Sequence, residues 1–80
     1  MRVDKFLKIS RIIKRRPVAK EACDSGRVKI NGKVVKASDE VKENDILEVI
    51  FGNRTEKVRV LEVKEIVPKN DATSLYEVVQ

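Results

Sequence analysis

The chain has 80 residues, 18 of them Lys or Arg and 13 Asp or Glu, with one cysteine, no histidine and a formal net charge of +5. A chain of this size makes one small domain, buries only about two-thirds of the surface it exposes when unfolded, and leaves little room for a deep catalytic pocket. No stretch approaches the roughly 20 apolar residues of a membrane span, one cysteine closes no internal disulfide, and one Cys without His assembles no metal centre.

The first element is an amphipathic helix over residues 3–14. Val3, Phe6, Leu7, Ser10 and Ile13 share one face at 3–4 spacing, and Lys5, Lys8, Arg11 and Arg15 share the other. Asp4 sits where a carboxylate accepts orphan backbone N–H groups and meets the positive end of the helix dipole. Arg15-Arg16-Pro17 breaks this helix and starts a second over residues 17–25, because proline suits a first turn. Ala19, Ala22 and Cys23 form its inward face, and Gly26 is the expected left-handed stop.

A hairpin follows. Residues 27–30 alternate, Asn31-Gly32 is a strong two-residue turn signal, and residues 33–35 return. Val28 and Ile30 face the core, whereas Arg27, Lys29 and Lys33 face solvent beside the helices. Residues 46–51 form a buried strand after a turn at 43–45. Residues 55–63 alternate through Val58 and Val60 as the next strand. Pro68 ends the sheet or confines its last strand to an edge. Residues 70–79 form a last helical turn docked through Leu75, Tyr76 and Val79, or a frayed tail. The expected architecture is α+β, with two packed N-terminal helices and a small, mostly antiparallel, twisted sheet. Residues 1–65 form the domain and 66–80 a C-terminal extension.

The charge is concentrated. Residues 1–36 hold twelve cationic side chains against three acidic ones, a net +9, and residues 37–80 hold six against ten, a net −4. Such a cationic module suits a polyanion, because neutralising phosphates releases condensed counterions. A solvated surface without a partner usually mixes its signs. The aromatic residues are Phe6, Phe51 and Tyr76, and both phenylalanines lie on apolar faces. Single-strand binders stack bases on exposed rings, so the composition favours folded RNA or duplex backbone over splayed bases. Enzyme readings lack support: there is no histidine, no Gly-rich phosphate loop and no nucleophile motif. A sulfur-carrier β-grasp needs a terminal Gly-Gly, and the chain ends Val79-Gln80. A helix-turn-helix DNA binder would use residues 17–25 for recognition, where Glu21 and Asp24 would repel a duplex backbone.

Arg2, Arg11, Arg15 and Arg16 are the foremost phosphate-contact candidates, since arginine is always charged and bonds phosphate bidentately. Their bland alternative is solvated arginine, or an internal pair with Asp4. Lys5, Lys8, Lys14, Lys20, Arg27, Lys29 and Lys33 form diffuse electrostatic support. Cys23 is a core residue, because free cysteine packs as a small hydrophobe.

The segments Arg2-Val3-Asp4-Lys5-Phe6-Leu7, Arg15-Arg16-Pro17-Val18-Ala19 and Gly26-Arg27-Val28-Lys29-Ile30-Asn31-Gly32, with Arg11 between, resemble the S-four-type (alpha-L) RNA-binding domain. The likeness covers residues 1 to about 50, including Val41 and Asp45-Ile46. Two positions depart from the family pattern. Arg15 stands where Ser or Thr usually caps the second helix, and Asn44 replaces a turn glycine, a place where Asn tolerates left-handed backbone. Residues 2–36 are most similar to a small stand-alone bacterial group, the RqcP proteins of ribosome-associated quality control, related to the heat-shock ribosome-binding protein. The absence of a membrane-span run, of an apolar signal-type start and of a cysteine pair favours the cytosol, and the expectation is a non-catalytic monomer without cofactor. The resemblance implies binding to large-subunit rRNA and peptidyl-tRNA on a stalled large ribosomal subunit, and support of C-terminal alanine tailing with an RqcH (NEMF-type) partner. Large-subunit recycling after heat shock and ribosome assembly are the alternatives within the same family.

Overall fold

The computed structural model describes residues 1–79. Helix α1 spans Val3–Ile9 and α2 Arg16–Asp24; strands β1 Val28–Ile30, β2 Lys33–Val34, β3 Ile46–Phe51 and β4 Arg54–Val60 follow. A 3-10 helix at Lys69–Leu75 leads into β5, Tyr76–Val78. The five strands make one antiparallel sheet in the order β2-β1-β3-β4-β5. Among the described residues no helix is long and apolar enough to cross a membrane.

One face of the sheet is the core. Val28, Ile30, Leu47, Val49, Val58 and Val60 alternate onto it, and register sets Val28 opposite Val49, Ile30 opposite Leu47 and Leu47 opposite Val58. Val3, Phe6 and Leu7 of α1 and Ala19, Ala22 and Cys23 of α2 pack on that face. The intervening positions turn away, where Glu48 lies between Lys29 and Lys57 in a cross-strand row of alternating charge. The hairpin turn is built as its sequence requires: Asn31 (φ 53°) and Gly32 (φ 82°) both take the left-handed region. Asn31 then ties the hairpin to β3. Its amide Nδ2 donates to Asp45 Oδ1 at 3.1 Å and its Oδ1 accepts from the Ile46 N–H at 2.9 Å.

Three local expectations differ from the structure. The first helix ends at Ile9, not residue 14. Arg11 adopts φ 62°, the Ser10 hydroxyl bonds back to the Leu7 carbonyl, and the Ile13 N–H returns to the same carbonyl at 3.0 Å. Ser10 and Ile13 are therefore buried as expected, but Ile13 gets there by a turn and not by helical periodicity. Strand β4 stops at Val60, where the Leu61 N–H bonds the Leu75 carbonyl. Finally, residues 76–78 are neither helical nor frayed. Tyr76, Glu77 and Val78 pair with Val60, Arg59 and Val58, so the sheet continues beyond Pro68, which lies in the connection. Gln80, the last residue of the expected extension 66–80, lies outside the described residues.

Candidate nucleic-acid interface

Both helices are short and neither N-cap residue, Arg2 or Arg15, makes a side-chain cap. The loop after β2 compensates at α1. Carbonyls of Asp39 and Ala37 accept the Val3 and Asp4 N–H groups, the Val41 N–H returns to Met1, and Arg2 pairs with Glu40 as an isolated bridge. Asp24 Oδ1 in turn accepts the Ala37 N–H at 3.2 Å, which fixes the loop to α2. The loop thereby ties the start of α1 to the end of α2.

At that junction Asp4 is only 1% exposed. Its carboxylate is fully engaged. Oδ1 accepts the Lys5 N–H at 2.8 Å and Arg2 Nε at 3.1 Å, Oδ2 accepts Arg2 Nη2 at 3.2 Å, and Arg16 Nε lies 3.5 Å from Oδ2. A buried carboxylate without such partners would be strongly disfavoured. The two guanidiniums remain nearly half exposed and offer their outward N–H groups to solvent. The three groups carry a net +1, and two arginines from different helices are locked in fixed relative positions. The internal pair with Asp4 and an outward phosphate-binding face are thus compatible in one arrangement.

The other basic candidates fall into separate places. Lys8, Arg11 and Lys14 line a cleft of about 270 Å³ beside residues 65–67. Lys5 is bridged to Glu65, and that hydrogen bond followed by the lysine charge lowers the Glu65 carboxyl below its ordinary range. Arg15 and Lys20 are exposed at the start and on the outer side of α2. Arg27 is exposed but engaged by its own neighbours: Nε donates to Ser25 Oγ at 2.8 Å, and Nη2 lies 3.9 Å from Glu21. Lys33 is exposed on the edge strand opposite Ile30. Lys29 is not beside the helices: one residue out of phase with Val28 and Ile30, it sits on the far face next to Glu48. The structure therefore assembles Arg2, Lys5, Lys8, Arg11, Lys14, Arg15 and Arg16 around α1 and the start of α2, and leaves Lys29 apart.

Cys23 is buried in the core, and burial followed by the charges of Asp4, Asp24 and Asp39 pushes its thiol up to about 11. It is a packing residue with little nucleophilic character near neutrality. Phe6 is fully buried, Phe51 is half-buried under the Arg54 guanidinium at 5.4 Å, and Tyr76 is half-buried. None of the three rings stands free as a stacking platform. Two features were beyond sequence reasoning: the bridge from Lys5 to Glu65, 60 residues away, and the exposure of Ile66 beside the basic cleft.

A model of the S4 domain matches residues 1–47. The RQC P-site tRNA stabilizing factor of Streptococcus pneumoniae is 53% identical over 79 residues, covering 99% of this chain and 90% of that protein. The protein of the same description from Halalkalibacterium halodurans is 54% identical over 78 residues, covering 98% and 89%. Among solved structures, heat shock protein 15 of Vibrio cholerae superposes with a TM-score of 0.90 at 24% identity, over 99% of this chain and 81% of that one. At that identity the likeness is one of fold.

Proposed function

The chain belongs to the family of RQC P-site tRNA stabilizing factors, built on an S4 domain, and from that premise we propose that it is a non-catalytic RNA-binding factor of ribosome-associated quality control. It binds a stalled large ribosomal subunit through rRNA and peptidyl-tRNA, and supports alanine tailing together with an RqcH-type partner. The observation that carries this reading is the pair of arginines, Arg2 and Arg16, fixed on buried Asp4 at the centre of the +9 module.

The chemistry is positional. A phosphodiester needs a cation at a defined place, and guanidinium supplies both charge and directed N–H donors. Fixing the two side chains before the RNA arrives lowers the ordering cost of binding. Arg11 and Arg15 extend the contact surface, and the lysines around α1 supply the longer-range field that steers association. Arg27, engaged by Ser25 and Glu21, and Lys29, on the far face, contribute only at a distance. A protein that contacts rRNA and tRNA together in one tRNA placement stabilises that placement by its differential affinity, and equal affinity for two placements would shift nothing. The factor acts as a monomer in the cytoplasm, with no turnover of its own.

The test is deletion of the gene, followed by immunoblotting for alanine-tailed stalled chains, with rescue by the wild type and by Arg15→Ala/Arg16→Ala. Tailing should be lost on deletion, restored by the wild type and not by the double variant. Unchanged tailing in the deletion strain contradicts the quality-control role.

A further inference from the structure

The segment after β4 places an aliphatic side chain beside the basic module. Residues 65–67 share a cleft with Lys8 and Ile9 of α1, and the Lys5–Glu65 bridge fastens them there. The next residue, Ile66, is 89% exposed, more than any other large hydrophobic among the described residues. Ile66 and Val67 form one side of the cleft whose other side is Lys8, Ile9, Arg11 and Lys14. Arg11 reaches this position through left-handed backbone at φ 62°, a conformation that non-glycine residues avoid and that persists where surrounding structure imposes it. The sole acidic residue of the cleft is Glu65, which Lys5 engages. Lys8, Arg11 and Lys14 have no ion-pair partner among the described residues.

Three cations facing an aliphatic wall fit a ligand that carries negative charge and apolar surface a few ångströms apart. A continuous duplex does not offer this beside its backbone, because its base faces are stacked inside. An unpaired, unstacked nucleotide does: its base exposes an apolar face next to its own phosphate. The cleft also continues the surface of Arg2 and Arg16 along α1, which favours RNA over an acidic peptide. We propose that this cleft receives an unpaired nucleotide of the bound RNA, with its phosphate on Lys8, Arg11 and Lys14 and its base over Ile66. The proposal rests on the RNA-binding reading given above and adds a discrimination that phosphate contacts alone cannot make. It also qualifies the expectation drawn from the aromatic residues: an aliphatic contact beside cations accepts one base where no free ring is present.

The experiment is fluorescence anisotropy on the full chain with two RNAs, a continuous 16-base-pair duplex and the same duplex carrying one bulged nucleotide. The wild type should prefer the bulged RNA about tenfold, the scale expected when most of one isoleucine is removed from water. Ile66→Ser should abolish this preference, leave the affinity for the continuous duplex unchanged and keep the salt slope, since no charge is lost. Arg16→Ala should weaken both RNAs and retain the preference. A wild type without preference, or a preference that survives Ile66→Ser, overturns the proposal while the loss in Arg16→Ala leaves the RNA-binding reading standing. A wild type that binds neither RNA brings down both. A polyglutamate peptide that binds the wild type and is lost in Ile66→Ser, with no preference between the RNAs, would assign the cleft to an acidic protein and overturn the proposal.

Discussion

Asp4→Asn probes the centre of the site with almost no change of shape. Oδ1 can still accept the Lys5 N–H and Arg2 Nε, but the position now held by Oδ2 becomes an amide NH2. That group faces Arg2 Nη2, 3.2 Å from Oδ2, and Arg16 Nε, 3.5 Å away, so donor meets donor. A hydrogen bond to a charged group contributes about 1.5–3 kcal/mol. Two terms reduce the net loss: the variant no longer buries a charge, and the arginines, 47% and 44% exposed, regain water. The balance is a destabilisation of about 1–2 kcal/mol, or a fall in Tm of about 5–15 °C for a domain of this size. With a total stability of about 4–12 kcal/mol expected for 80 residues, the variant stays folded at room temperature. Binding responds to two opposed changes. The protein gains one positive charge but loses the fixed placement of two guanidiniums. At 200 mM salt the long-range field is screened, so placement dominates and affinity should fall about fivefold, equivalent to about 1 kcal/mol. Thermal unfolding by circular dichroism and anisotropy with structured RNA measure the two effects. An unchanged Tm together with an unchanged affinity would refute the assignment of Asp4 as the residue that positions Arg2 and Arg16.

Two further predictions concern titration. Glu65 has a lowered carboxyl because Lys5 bonds it, so the tie contributes stability above the ordinary glutamate range and is lost as pH falls through the depressed value. Carboxyl carbon NMR should place its midpoint below the ordinary glutamate range, and Lys5→Ala should raise it; an unmoved midpoint in that variant would discount the bridge. Cys23, raised to about 11 from 9.0, holds its proton more tightly in the folded state, so its contribution is complete below about pH 9 and is lost as pH rises through about 11. A thiol reagent at pH 8 should leave the native protein unmodified and label it rapidly in denaturant, whereas fast native labelling would contradict its burial.

The two helices, the hairpin and strands β3 and β4 were legible because each carries a local signal. Proline opens α2, Gly26 closes it, Asn31-Gly32 makes the turn, and period-two alternation marks Val58 and Val60. The end of α1 was not legible, because its left-handed residue is Arg11, a type that seldom takes that conformation, and burial of Ile13 mimics continued helical spacing. Strand β5 was missed because three residues after Pro68 are too few to announce a strand; their pairing with β4 is a tertiary fact. At the candidate site the charge and the family resemblance pointed to the two helices and the first hairpin, and the structure groups Arg2, Lys5, Lys8, Arg11, Lys14, Arg15 and Arg16 around α1 and the start of α2. The burial of Asp4, the Lys5–Glu65 bridge and the outward Ile66 depend on how residues 37–41 and 65–67 meet α1, and no local pattern encodes that.

The most direct test of the central claim is co-sedimentation with large ribosomal subunits that carry or lack peptidyl-tRNA, over 50–200 mM salt. The wild type should sediment preferentially with the tRNA-bearing subunit, and if roughly six phosphates are engaged its affinity should fall about a thousandfold across that range. Arg16→Ala should weaken association by the loss of a charged hydrogen bond, about 1.5–3 kcal/mol. Lys57→Ala, on the far face of β4, should match the wild type. Salt-insensitive association, or equal losses in the two variants with both folded, would contradict an interface built on Arg2 and Arg16.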